Sequence, residues 1–318
     1  MNVRDVLPKD AIQSIDEPTF AGTYFGESDD EMVVLDGDPQ RAYPLRILSY
    51  HEIVNDDVDG EPVAITWCPI CWSAVAYRRT VDDRTLTFGV SGKLADDALV
   101  MYDRETESEW RQPSGECLAG ELEGRSLTTI PTAMMTWREF RETYPDGVVL
   151  EPVRGGTGPG ERSHSQEYDM EPYHRYREDD DFGLYAMRGE GDRRTWDRTD
   201  IDAKTVVLGI EQEDETVGYP LPRVEEAGGV VTDTIGGIDV IVVASDGDLH
   251  AFEDPGLGWE LVDGTLVGDD ATWDPVTGTS EDGRQLRRIP ARTLFAFAWQ
   301  DDHGPEAFYD ATDEGEDR

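Results

Sequence analysis

The residues best suited to chemistry are Trp67-Cys68-Pro69-Ile70-Cys71-Trp72, which follow directly from the apolar run that opens at Pro62. Two thiols at Cys-x-x-Cys spacing bring both sulfurs to one point, so they can close a small disulfide or grip one metal ion. In the first case Cys68 is the attacking thiolate and Cys71 the resolving thiol, acting on a small molecule or a thiol redox partner. In the second case both are ligands of zinc or copper, metals suited to thiolate and imidazole. A third reading makes the pair small buried hydrophobes at a strand end, and the chain a non-catalytic binding scaffold.

His51-Glu52 and Asn55-Asp56 form a second cluster. On a helix His51 and Asn55 share one face, as do Glu52 and Asp56. His51 is therefore the candidate base beside a thiolate, or the third ligand of a metal whose shell Asp56 or Asp103 completes. The competing reading is a solvated helix face. A polar pocket lining is expected from Glu52, Asn55, Asp56, Thr66, Ser73, Asp103, Thr106, Ser108 and Trp110. Cys117 reads as a small packed residue, and His164, His174 and His250 have no ligand spacing with another candidate. The run GGTGPG lacks the strand-before, helix-after setting of a phosphate loop, so no cofactor-binding residue is assigned.

An internal repeat organises the elements that must position these groups. Val33-Val34-Leu35, Ala42-Tyr43-Pro44-Leu45 and Gly60 are matched by Val206-Val207-Leu208, Gly218-Tyr219-Pro220-Leu221 and Gly236. Further on, Trp110-x-x-x-Ser114-Gly115 matches Trp273-x-x-x-Thr277-Gly278, and Gly124-Arg125-Ser126-Leu127 matches Gly283-Arg284-Gln285-Leu286. The expected organisation is an extension over 1–27, a first unit over 28–150, a polar connecting segment over 151–199, a second unit over 200–310 and an acidic tail over 311–318. Ala244 is aligned with Cys68 and followed by Ser-Asp-Gly, while Ala227-Gly228 and Val231-Thr232 stand for His51-Glu52 and Asn55-Asp56. A packing role required by the unit should appear in both copies, whereas a site needs to appear once.

Short β-branched runs bounded by Gly, Asp and Asn predict an α+β, β-dominated fold of two tandem pseudo-repeats with short helices. Helices are expected over Pro44 to Asn55, after a proline start, and over Thr136 to Tyr144, with Thr136 as cap. VDDRT reads as the hairpin turn joining SAVAYRR to TLTFGV. That β-branched continuation excludes a thioredoxin fold, whose second motif half opens a long helix. A zinc ribbon would need a second Cys-x-x-Cys.

The chain has 318 residues, with 70 Asp+Glu against 28 Lys+Arg and a formal charge of −42. Nearly all the cations are arginine, Lys9, Lys93 and Lys204 being the lysines. Self-repulsion on this scale opposes compactness at ordinary salt and is screened in molar salt, where the Debye length falls to about 3 Å. The composition thus reads as a cytoplasmic protein of a salt-accumulating halophile. Eight Trp, twelve Tyr and nine Phe argue against disorder. Nucleic acid and anionic membrane surfaces are excluded as partners by charge, no signal peptide is recognisable, and no window reaches the roughly 18 apolar residues of a span. With an odd number of cysteines in a long chain, a disulfide scaffold is not expected.

Several strings are distinctive together: Ala42-Tyr43-Pro44-Leu45-Arg46-Ile47-Leu48, His51-Glu52-Ile53-Val54-Asn55-Asp56, Thr66-Trp67-Cys68-Pro69-Ile70-Cys71, Phe88-Gly89-Val90-Ser91-Gly92 and Met101-Tyr102-Asp103-Arg104-Glu105-Thr106-x-Ser108-x-Trp110. In these the chain resembles the domain of unknown function 3179 over roughly 30–310. That family carries no established activity to transfer. The resemblance implies that a cysteine position of the motif can hold selenocysteine, which favours reactive thiol chemistry over packing. Where relatives carry a small residue after the motif, this chain has Trp72.

Overall fold

A computed structural model of the chain describes residues 1–153, 168–169 and 172–310. His164, the run GGTGPG and the tail 311–318 lie outside the described residues. The fold is β-dominated: among the described residues 25 strands are joined by six helices, none longer than eight residues. No described helix is long and apolar enough to cross a membrane. The chain forms two compact units, one ending at Thr195 and one beginning at Trp196.

Three antiparallel strands carry the thiol motif in the first unit: Ile53–Val58, Glu61–Cys68 and Ser73–Arg78. Asp59 and Gly60 both take positive φ (54° and 83°), giving the two-residue turn whose twist suits a hairpin. A second sheet runs in the order Val3–Asp5, Phe88–Ala95, Ala98–Asp103, Glu109–Arg111 and Cys117–Ala119. A third combines Ala133–Thr136, Glu31–Leu35, Arg41–Pro44, Val148–Leu150 and Phe20–Ala21. The core is filled by fully buried Tyr43, Trp67, Tyr77, Phe88, Trp110 and Phe140.

The first expected helix is shorter than its sequence pattern. It spans Leu45–His51 and stops because Glu52 turns left-handed (φ 58°), its N–H closing back on the Leu48 carbonyl. Ile53 and Val54, β-branched and buried, then open a strand. Asn55 and Asp56 therefore lie on that strand, and neither shares a helix face with His51 or Glu52. The VDDRT turn forms at Asp82-Asp83 but joins only Thr80–Val81 to Arg84–Thr85. Ser73–Arg78 and Phe88–Ala95 belong to different sheets, and the latter pairs with Ala98–Asp103 across Asp96-Asp97.

The second helix matches expectation. It spans Trp137–Thr143, with a capping box in which the Thr136 side chain accepts from the Glu139 N–H and Glu139 reaches back to the Thr136 N–H.

The second unit contains Glu215–Pro220, Val206–Gln212 and Arg292–Phe295 as neighbouring antiparallel strands. It also holds two three-stranded meanders, Val230–Ile235 with Ile238–Ser245 and Asp248–Glu253, and Trp259–Val262 with Thr265–Gly268 and Ala271–Trp273. Its helices are Leu221–Glu226 and Ala296–His303.

Candidate functional site

The strand Glu61–Cys68 delivers Cys68 at its last position, and Cys68 pairs in register with Ser73 at the start of the next strand. Pro69, Ile70, Cys71 and Trp72 are left as a four-residue tip. Closing it puts Trp72 in the left-handed region at φ 54°. For a bulky residue this costs on the order of 1–3 kcal/mol and persists only where the surroundings fix it. Here they do: the Trp72 ring lies edge-on to Trp67 at 4.8 Å, and the Arg177 guanidinium sits 4.4 Å from its centre.

Both sulfurs are enclosed, Cys68 being 1% and Cys71 0% exposed. No disulfide joins them. Burial alone would push the Cys68 thiol up. The polar hydrogens of Cys71, Leu99 and Ile70 favour a charged sulfur and draw the thiol below its ordinary value; the Cys71 thiol itself donates to the Cys68 carbonyl at 3.9 Å. These groups come from the tip and from Leu99 on a strand of the neighbouring sheet. Cys71 is shut from solvent.

Cys68 opens into a small cavity of about 50 Å³, whose polar groups include the Glu52 carboxyl and the Arg188 guanidinium. Glu52 is buried at the left-handed residue that ends its helix, and its carbonyl accepts from the Trp67 N–H at 2.8 Å. Burial, then the neighbouring charge of Cys68, push its carboxyl up to about 8, with Arg188 pulling the other way. The two groups therefore oppose each other's ionisation, and charge on the Cys68 sulfur is one reason the Glu52 carboxyl holds its proton to higher pH.

The other cavity walls come from both ends of the first unit. Val6 and Leu7 reach it because Gly92 (φ 79°) lets the N-terminal segment lie against its backbone; a Cβ there would stand 2.2 Å from the Leu7 carbonyl oxygen. Tyr173, Leu184, Met187 and Arg188 come from the stretch expected to be a polar connection. Residues 172–195 instead pack within the first unit, through the helices His174–Glu178 and Gly183–Arg188. Tyr176 fastens them to the motif: its hydroxyl donates to the Ile70 carbonyl at 2.6 Å and accepts from the Gly183 N–H at 3.2 Å. Tyr176→Phe should therefore lower stability by about 1–3 kcal/mol and speed hydrogen exchange at the motif amides. A denaturant melt with site-resolved exchange checks both.

A larger cavity of about 420 Å³ lies against Trp67, Pro69, Trp72 and Tyr173, with Arg46 and Arg177 in its wall. Pro69 and Tyr173 line both cavities.

Of the residues expected around the thiols, Glu52 alone joins Cys68 in lining the small cavity. Both ring nitrogens of His51 are engaged elsewhere, Nδ1 with the Gln13 carbonyl at 2.7 Å and Nε2 with the Tyr168 hydroxyl at 2.6 Å. Among the described residues no group of three His, Cys, Asp or Glu side chains is placed to hold a metal ion. Asn55 links strands, its amide donating to Asp16 and to the Phe88 carbonyl and accepting from the Phe88 N–H. Asp56 accepts from Tyr43 and Arg41, both at 2.6 Å. Thr66 donates to the Val75 carbonyl and accepts from Gln112, while the buried Ser73 side chain makes no hydrogen bond among the described residues. Asp103 caps its own turn, accepting from Thr106 and, at 2.9 Å, from the Trp110 indole; Ser108 bonds Thr106 and receives the Leu122 N–H. Cys117 is buried and its thiol is pushed up by that burial, which fits a packed residue.

Sequence reasoning missed Leu99, Tyr173, Tyr176 and Arg188. The aromatic strings Tyr173-His174-Arg175-Tyr176 and Phe182-Gly183-Leu184-Tyr185, unusual in a polar connection, were the signal for three of them. Nothing in the sequence points to the Leu99 N–H.

Fold and site together define a β-dominated protein with a buried, hydrogen-bonded Cys-x-x-Cys pair in its first unit. The chain belongs to the family described as Protein of unknown function (DUF3179), whose model matches residues 9–312. No curated protein and no solved structure is significantly similar to it.

Proposed function

We propose that the protein performs thiol redox chemistry at Cys68, with Cys71 as the resolving thiol. The observation that carries this reading is the shared cavity: Cys68 lines it together with the ionisable Glu52 and Arg188, and the thiol of Cys71, at the same tip, donates to the Cys68 carbonyl at 3.9 Å. A cysteine kept only for packing needs neither a cavity nor ionisable neighbours. Glu52, rather than His51, is the titratable side chain that shares the cavity with Cys68. Oxidation with one equivalent of hydrogen peroxide, followed by alkylation in denaturant and mass measurement, tests the pairing. The three alkylatable thiols should fall to one, on Cys117; retention of all three, or loss of Cys117 in place of the pair, would refute it.

The same reading gives the two-copy organisation a purpose, with a thiol site in one copy of a shared β-rich unit and none in the other. Several paired details support it. Tyr43 donates to Asp56 and Tyr219 to Asp233. The Glu52 carbonyl accepts from Trp67 and the Gly229 carbonyl from Ala244. The N–H of Cys117 meets the Arg125 carbonyl, and that of Ser280 the Arg284 carbonyl. On this register Ala244 stands with Trp67 rather than with Cys68, and Asp56 has a counterpart in Asp233. The tip after Cys68 has four residues, where Asp246-Gly247 makes a two-residue turn. Glu52 occupies a left-handed position that the second unit fills with Gly229.

The formal charge of −42 supports a protein suited to concentrated salt. Its thermal midpoint should rise by several degrees or more between 0.1 M and 2 M KCl, the range over which the Debye length falls from about 10 Å to under 3 Å. A midpoint independent of salt would contradict that reading.

A further inference from the structure

We infer that the oxidant taken by Cys68 is a small hydroperoxide, with Glu52 as the acid that protonates its leaving oxygen; this rests on the thiol reading above. Size is the first argument. The sulfurs are at most 1% exposed, and the space beside Cys68 is about 50 Å³. A single water needs at least about 10–15 Å³ of such space, so the cavity admits a molecule the size of a few waters. A protein disulfide or a peptide-sized disulfide cannot reach a sulfur through it. A hydroperoxide can.

Chemistry is the second argument. Thiolate attack on a peroxide breaks an O–O bond and sheds an alkoxide or hydroxide, which needs a proton and tolerates a nearby cation. The cavity supplies a carboxyl on Glu52 and a guanidinium on Arg188, on the same small space as the sulfur. Simple disulfide exchange sheds a thiolate, which makes no comparable demand for an acid.

Cys68 reacts as the thiolate, its proton released to water, while Glu52 carries its own proton. The Cys68 sulfur then attacks the terminal peroxide oxygen; the S–O bond forms and the O–O bond breaks. Sulfur loses two electrons and the peroxide gains them, leaving as an alcohol or water with the proton from Glu52. The Cys71 thiol next attacks the Cys68 sulfenic acid, forming the S–S bond and releasing water with the Cys71 proton.

The test is the rate at which reduced protein consumes hydrogen peroxide at pH 7, followed by rapid mixing, a denaturing quench that contains dimedone, and intact mass. An ordinary thiol with pKa near 8.5 is about 3% ionised at that pH, so full ionisation alone is worth about 30-fold over free cysteine. Help from an acid should lift the rate about 100-fold further. Cys71→Ser should stop at a dimedone-trapped sulfenic acid on Cys68. Glu52→Gln should lose about 100-fold in peroxide rate while its Cys68 thiolate absorbance is retained. A wild-type rate no more than about 30-fold above free cysteine, with the Cys68–Cys71 disulfide still closing slowly, overturns the hydroperoxide and leaves the thiol reading standing. No thiolate and no disulfide would overturn both. Because the decisive rate is read on the unaltered protein, misfolding of a variant does not blunt the test.

Discussion

Replacing Cys68 by serine should abolish the thiol titration that the native protein shows below the ordinary value of 9.0, while Cys117→Ser should leave it intact. Cys117 lies on the opposite side of that value, pushed up by burial. Cys71→Ser should shift that titration to higher pH without removing it, since the Cys71 side chain is the largest of the influences that draw Cys68 down and the neighbouring backbone remains. A hydrogen bond to a charged group is worth about 1.5–3 kcal/mol, or roughly one to two pH units in the titration midpoint. Equal loss of signal in the Cys68 and Cys117 variants would remove Cys68 from its assigned role.

Glu52→Gln should stabilise the protein, and the gain should grow with pH. In the unfolded chain this carboxyl ionises near 4.5; in the fold burial, helped by the Cys68 charge, raises it to about 8. Below pH 4.5 both states hold the proton and Glu52 costs nothing. As pH rises from 4.5 to 8 the unfolded carboxyl is ionised while the folded one is not, so each unit costs about 1.4 kcal/mol. At pH 7 the penalty is about 3 kcal/mol, and glutamine, of the same shape and without the charge, does not incur it. Denaturant melts of both proteins at pH 4.5, 6 and 7.5 should show the curves diverging across that window and levelling above pH 8. The divergence should persist in a Cys68→Ser background, because burial is the larger cause of the raised carboxyl. Parallel curves would mean that Glu52 is already ionised in the native state. A residue kept at such a cost, at a left-handed position that glycine or asparagine fills more easily, is one held for its carboxyl.

The sequence by itself determined the features set by short-range physics. The apolar run from Pro62 ends in a strand whose last residue is Cys68. Helices start after Pro44 and after Thr136, where a rigid φ and a hydroxyl cap act within one turn. β-branched runs between Asp and Gly turns made the fold β-dominated, since two-residue hairpins need positive φ and this acidic chain meets that need with Asp as often as with Gly. The tertiary structure decided which carboxylate matters. Glu52 is one of 70 acidic residues, and only the halt of its helix at a left-handed residue turns it inward while His51 faces Gln13 and Tyr168. The remaining parts of the site come from far along the chain: the Leu99 N–H, the Tyr176 clamp and the Arg188 cation lie 31, 108 and 120 residues beyond Cys68. Their meeting depends on the packing of separate elements, and residue type and local spacing carry no trace of it.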